Sequence, residues 1–340
     1  MGYFTTRIDD GQAILLVLLV PLLSLGHGDT ENMSSPVRVA VIGVGHLGSR
    51  HAEIYATMAD VRLVAVCDTN PEKAKTIAQK LNCLAVTDHR ELLGKIDAAS
   101  LAVPTQAHAA VGRELLAGGA HLLIEKPIAA TLAQAKMLIR TAAKARRLLQ
   151  VGHVERFNAA IGTALSRLKR PRFIEVHRLS TYPFRGTDVS VVLDLMIHDL
   201  DLLLALVRSP IQRLDAVGVA VLSKSEDIAN ARLRFSSGCV ANLTASRISD
   251  GATRRIRVFT KDSYLSIDYQ AQTVELAQKT LNQIQRIELP VNRRPPLQEE
   301  LAAFIQSVKT GCAPLVSGED GAAALALALR IERTMRKNGK

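Results

Sequence analysis

The chain has 340 residues, 48% hydrophobic and 22% charged, which fits about two domains with large cores and excludes a disordered or fibrous protein. The cysteines stand singly at Cys67, Cys83, Cys239 and Cys312, so there is no zinc ribbon or disulfide framework, and a reducing, cytoplasmic compartment is expected. The net charge is +11, but no aromatic residues interleave with the basic clusters and tryptophan is absent, which points to an anionic ligand and away from nucleic acid.

Residues 1–35 stand outside the fold argument. Ala13 to Leu25 is apolar but broken by Pro21, and too short for a membrane span, which needs about 20 residues. No membrane insertion is therefore expected. A secretory signal would fit the length, but Arg7 is offset by Asp9 and Asp10, and no small-residue cleavage site follows. The favoured reading is translation from Met33, where Met33-Ser-Ser-Pro leads directly into a strand.

Val37 to Ile42 reads as a buried strand. Gly43-Val-Gly45-His46-Leu47-Gly48 follows at once, then a helix over Ser49 to Met58, then a strand over Val61 to Cys67 ending at Asp68. This G-x-G-x-x-G has its strand, its helix and its acid in place, so it predicts a dinucleotide site. Gly43 permits the turn, Gly45 the approach of the pyrophosphate, and Gly48 close helix packing. The helix start, through His46 and Leu47, faces the anion. Asp68 suits both ribose hydroxyls and would repel a 2′-phosphate, which favours NAD over NADP.

Alternation continues. Strands are predicted at Leu84 to Val86, Ala98 to Val103, His121 to Glu125 and from Gln150. Helices are predicted at His89 to Leu93, Ala107 to Ala117 and Thr131 to Leu148. This pattern means a doubly wound parallel sheet, with ligands at the carboxyl ends of its strands. Asp68, Pro104-Thr105, Glu125-Lys126 and Gly152-His153 fall at such ends. The first domain is placed at 36–154.

Residues 155–340 read as an α+β domain. Helices are predicted at Ala159 to Leu168, Val189 to Val207, Leu297 to Val308 and Asp320 to Lys337, the last packing back on the first domain. Strands are predicted at Arg172 to Ser180, Ala216 to Leu222, Ile228 to Phe235, Cys239 to Ser246, Arg255 to Thr260, Ser263 to Tyr269, Thr273 to Gln278 and Ile284 to Leu289. Consecutive strands predict a mostly antiparallel sheet with helices on one face. In the long apolar helix, Asp194 and His198 share a face and Asp201 roughly continues it. Such groups are costly there unless partnered. They form either a packing network or a proton relay in which a carboxylate orients a histidine. A metal site lacks a visible third ligand, so none is expected.

Gly43-x-Gly45-x-x-Gly48, Pro104-Thr105 with His108, Glu125-Lys126-Pro127, Asp194-x-x-x-His198-x-x-Asp201 and Gly318-Glu319-Asp320-Gly321 together resemble the Gfo/Idh/MocA oxidoreductases over residues 36–335. The resemblance implies a Rossmann domain, an open-faced sheet that builds a homodimer or homotetramer, a nicotinamide cofactor, and hydride transfer at a sugar or cyclitol carbinol. It implies that Pro104, Thr105, His108, Glu125 and Lys126 join the cofactor site. It places Lys126 between nicotinamide and substrate, gives the hydroxyl proton to His198, and has Asp194 orient the site. Met196 stands where the family often has glycine. Gly152-His-Val-Glu-Arg156-Phe-Asn158, Tyr182-Pro-Phe-Arg185 and the Asp194 helix resemble the branch that oxidises UDP-N-acetylglucosamine at C3 for variant lipid A. Arg156 and Arg185 are then candidate diphosphate cations, with Asn158 and Tyr182 also lining the substrate. Competing readings are another sugar or inositol dehydrogenase, a non-catalytic NAD(P)-binding regulator, and an NAD-dependent glycosidase.

Overall fold

Six parallel strands make the first sheet: β1 (Val37–Ile42), β2 (Val61–Cys67), β3 (Leu84–Val86), β4 (Ala98–Leu101), β5 (His121–Glu125) and β6 (Leu149–Gly152), in the order β3-β2-β1-β4-β5-β6. The structure is a computed structural model and describes residues 35–168, 170–182, 189–281 and 283–338. Helices α1 (His46–Thr57), α2 (Pro71–Leu81), α3 (Thr105–Ala117) and α4 (Leu132–Ala145) connect the strands. β1, β4 and β5 are apolar runs because layers cover both their faces. The strand order reverses between β1 and β4, which puts a ligand crevice at their carboxyl ends.

Local chemistry explains where two of these helices begin and end. α2 escaped the sequence reading, yet Asn70 caps it by accepting from Glu72 N and Lys73 N, and Pro71 opens its first turn. α4 starts on a capping box of Thr131 and Gln134 and stops at Arg146, which takes a left-handed φ of 53°. It therefore ends before the Leu148 expected from the apolar spacing.

The second sheet holds β7 (Phe173–Leu179), β8 (Ile211–Val219), β9 (Ile228–Phe235), β10 (Val240–Ser246), β11 (Thr253–Phe259), β12 (Ser263–Asp268), β13 (Thr273–Lys279) and β14 (Ile284–Leu289). Its order is β14-β13-β12-β11-β7-β10-β9-β8, antiparallel except where β7 meets β10. Burial alternates along β7 and β9. One face, with Ile174, Val176, Leu233, Leu243 and Ile256, joins a core with Leu200 and Leu203 of α6 (Ile197–Val207) and Ala328 and Ile331 of α8 (Gly318–Asn338). The other face carries polar pairs such as Arg232–Asn242 and Asn230–Thr244. α5 (Ala159–Arg167) packs beside β12 and β13.

Both sheets belong to one compact unit, Ser35–Lys340. α7 (Pro296–Thr310), assigned from sequence to the second domain, buries Leu301, Phe304 and Ile305 against Val37, Val39 and Leu123 of the first sheet. α8 also begins on the first sheet. Val151 N donates to Val316 O, and a Cβ on Gly321 would lie 2.5 Å from Val151. No described helix is long and apolar enough to cross a membrane.

Candidate active site

At the end of β1, Gly43 turns the chain with φ 87°, and a Cβ there would meet Ala102 O at 2.7 Å. A Cβ on Gly48 would lie 1.8 Å from Gly43 O, so α1 can sit this close only with glycine. A Cβ on Gly45 would meet nothing within 4 Å. α1 starts after Gly45 with no side-chain cap and no acid in its first turn. Its first N–H groups, around His46 and Leu47, thus face an open cradle with a positive dipole end, as a pyrophosphate requires. The dinucleotide fits this chain.

Asp68, at the end of β2, is fixed by the backbone: Oδ2 accepts from Val44 N at 3.0 Å and Oδ1 from Asn70 N at 2.9 Å. It lines a cavity of about 530 Å³ with Gly43, Gly45, Val103 and Pro104. Lys73, Thr87 and His89 line the same cavity and escaped the sequence reading. Lys73 was hidden because α2 was not recognised. Thr105 opens α3 behind Pro104.

His108 does not reach this cavity's surface. It is buried, with Nδ1 3.0 Å from Pro127 O and Nε2 2.9 Å from Val103 O. Burial lowers its pKa. In this position it ties the loop after β4 to the loop after β5. Glu125 packs over Gly152, whose Cβ would fall 2.9 Å from Glu125 Oε1, and that oxygen lies 3.3 Å from His51 Nε2. Ser100 and Tyr55 extend the chain of contacts beneath His51.

Lys126, next to Glu125, points across to the second domain. Its Nζ donates to Asp194 O at 2.7 Å and lies 3.4 Å from Asp194 Oδ1. Val192–Met196 forms a π-helical turn ahead of α6, where a regular α-helix was expected. Ile197 N reaches back to Val192 O, five residues away. Such a wide turn inside a helix commonly marks a functional site.

His198 follows in the first turn of α6. Its Nδ1 is buried and unpartnered. Asp194, expected from its spacing to orient the His198 ring, bonds to Lys126 in this structure. The ring beside His198 is His153, edge-to-face at 6.1 Å between centroids. Burial, then the charge of Lys126, pushes His198 well below the ordinary imidazole range. Burial, Lys126 and Arg156 push His153 to about 3. Both rings are neutral at pH 7.

The remaining polar residues of α6 form two buried clusters. Arg178 on β7 donates to both oxygens of Asp199, at 2.9 and 3.0 Å, and to Glu155 at 3.3 Å, and the Tyr269 hydroxyl reaches Asp199 at 2.7 Å. Arg156 contacts Asp201 Oδ1 at 3.4 Å and Leu315 O at 3.3 Å. Arg156, a candidate for the diphosphate, thus stands beside a buried acid. Asn158, a candidate at the substrate, is buried, caps α5 by accepting from Ala160 N, and donates to Tyr269 O. Tyr182 is half-buried. Arg185 lies outside the described residues. No described group of three His, Cys, Asp or Glu side chains could hold a metal ion.

Two buried acids near the site have pH consequences. Glu300 on α7 has both carboxyl oxygens unpartnered. Burial first, then the charge of Glu125, raises it well above the usual carboxylate range. Burial pushes Asp201 up to about 7 against the pull of Arg156. The folded state therefore keeps protons that the unfolded chain loses near its ordinary carboxylate pKa. Stability from these groups is full below that value and is lost as pH rises through the folded values. The melting temperature of Glu300→Gln is expected to depend less on pH between 5 and 8 than that of the parent chain. An unchanged slope in thermal melts would contradict this.

The comparisons agree with the fold. The description "Oxidoreductase family, NAD-binding Rossmann fold" matches residues 37–153, and "GFO/IDH/MocA C-terminal domain" matches 143–266. The chain is 35% identical over 302 residues to UDP-N-acetylglucosamine 3-dehydrogenase of Acidithiobacillus ferrooxidans, covering 87% of this chain and 96% of that one. A solved structure of that enzyme superposes with a TM-score of 0.84 over 88% of this chain and 97% of that chain. Myo-inositol 2-dehydrogenase of Thermotoga maritima is 27% identical over 323 residues, covering 88% of this chain and 97% of that one. The cradle at Gly45, the two sheets and these matches make the chain a member of the Gfo/Idh/MocA oxidoreductase family, a dehydrogenase built on an NAD-binding Rossmann domain.

Proposed function

We propose that the chain oxidises a secondary hydroxyl of a nucleotide sugar, with UDP-N-acetylglucosamine at C3 as the substrate, and passes the hydride to NAD. One observation carries the reading: Lys126 of the first domain bonds Asp194 of the second, one helical turn before a neutral His198. The cofactor, when bound, supplies a hydride acceptor. Gly43, Gly45, His46, Leu47 and Gly48 would hold its pyrophosphate and Asp68 its ribose, with Pro104, Thr105 and Glu125 at the strand ends alongside. Lys126 steadies the oxygen as negative charge grows on it. Asp194 holds the ammonium in place. His198, uncharged, takes the hydroxyl proton.

Similarity to the Acidithiobacillus enzyme supports the nucleotide sugar, and the basic balance of the chain fits an anionic substrate. Similarity to the Thermotoga enzyme supports a second reading, inositol oxidation. A homodimer or homotetramer through the polar face of the second sheet and a cytoplasmic location complete the proposal. The four cysteines are free, as a reducing compartment requires.

The test is to incubate the enzyme with UDP-N-acetylglucosamine, other UDP-sugars or myo-inositol, each with NAD or NADP. NADH and a 3-keto sugar are expected from UDP-N-acetylglucosamine. Like-charge contact with Asp68 should favour NAD over NADP by at least about tenfold in kcat/KM. Inositol turnover without UDP-sugar turnover would replace the first reading by the second.

A further inference from the structure

β7 and β11 lie antiparallel, and Arg178 stands directly opposite Arg254. Both share the covered face of the sheet, because Val176 and Ile256, two residues along each strand, are buried. Like charges at opposed positions destabilise a strand pair unless anions compensate them. The available anions are unevenly divided. Arg178, whose side chain is 4% exposed, takes both oxygens of Asp199 and shares Glu155 Oε1. Arg254 has a side chain 48% exposed and a single long contact, Nη1 to that same Glu155 oxygen at 3.4 Å. A guanidinium carries five N–H donors, so most of Arg254's have no partner among the described residues.

Among the described residues the other nearby cations are more fully engaged or turned away. Lys126 contacts both the carbonyl and the carboxylate of Asp194, Arg156 contacts both Asp201 and Leu315 O, and Arg255, on the opposite face of β11, faces Asp268. Arg254 still borders the reaction site: its partner Glu155 stands two residues from His153, whose ring packs edge-to-face on His198. An anionic group attached to a sugar whose hydroxyl meets Lys126 and His198 would find this guanidinium at the rim, with a planar fork suited to two phosphate oxygens.

We propose that Arg254 binds the diphosphate of the nucleotide sugar and so selects nucleotide-linked over free sugars, an inference that rests on the proposed substrate. The experiment uses the full chain loaded with NAD, UDP as the binding probe, and UDP-N-acetylglucosamine as the substrate. In Arg254→Gln, the Kd for UDP and the KM for the sugar nucleotide are expected to rise about tenfold to a hundredfold, with kcat within about threefold and NAD affinity unchanged. Arg254→Lys keeps the charge but loses the fork, and should fall between. Equal UDP affinity in the parent chain and both variants, with the parent still oxidising the sugar nucleotide, overturns the role of Arg254 alone. A parent chain that neither binds UDP nor oxidises the sugar nucleotide overturns the substrate reading, and this inference with it.

Discussion

Lys126→Ala and His198→Ala should each lower kcat by about a hundredfold or more, the range for losing a positioned charge or an acid–base group. The two losses have different causes. Lys126 brings a cation from the first domain to a carbonyl and a carboxylate of the second, so its removal takes away the tie that holds Asp194 and, in the proposed mechanism, the charge that steadies the developing alkoxide. His198 contributes an uncharged ring, and its substitution leaves Gly43, Gly45, Gly48 and Asp68 untouched. NAD affinity should therefore survive in His198→Ala. Because burial and neighbouring cations lower the His198 pKa, the base form persists into mild acid. The acid limb of kcat should accordingly fall below the ordinary imidazole range. Near-normal turnover in both variants, measured with NAD titration, would reduce the cluster to packing.

Arg178→Ala should destabilise the fold by about 3–5 kcal/mol, the cost of breaking a buried ion pair and leaving its partner uncompensated. Its guanidinium satisfies both oxygens of Asp199 and one of Glu155, and lies 5.2 Å from the centre of the Tyr269 ring. Without it, two carboxylates remain buried beside a phenol. Asp199→Ala alone should also be costly, and the double variant should cost less than the sum, because each partner's penalty comes from stranding the other. Guanidinium unfolding midpoints would show this. Additive losses would mean that the residues act separately.

The dinucleotide motif was legible because glycine at a turn and apolar runs in buried strands are local requirements. α2 was less so: it buries only Ala74 and Ala78, although Asn70-Pro71 carried its start signal. β8 begins at Ile211, earlier than expected, because a register shift between Ile211 and Arg213 breaks the alternation. The π turn changes which backbone groups pair and leaves little trace in side-chain spacing. The contacts of His108, Arg156 and Asn158 were not legible in the sequence, for a shared reason. Their partners, Pro127, Asp201 with Leu315, and Tyr269, come from other parts of the chain, and no local pattern shows that a polar group is already satisfied. Arg254 was hidden in the opposite way, as one cation in a run of basic residues.

The return of α7 to the first sheet affects how the protein is made. Val37 and Val39 leave the ribosome early, yet the Leu301, Phe304 and Ile305 that help cover them arrive about 265 residues later, which at about 5–20 residues per second is roughly 13–53 s of synthesis. During that interval this side of the nascent sheet is covered only in part, by Ala52 and Tyr55 of α1 and Ala78 of α2. Early termination before residue 296 would leave the glycine motif intact but the patch that α7 covers exposed, giving a fragment prone to aggregation even though it carries the whole dinucleotide-binding sequence.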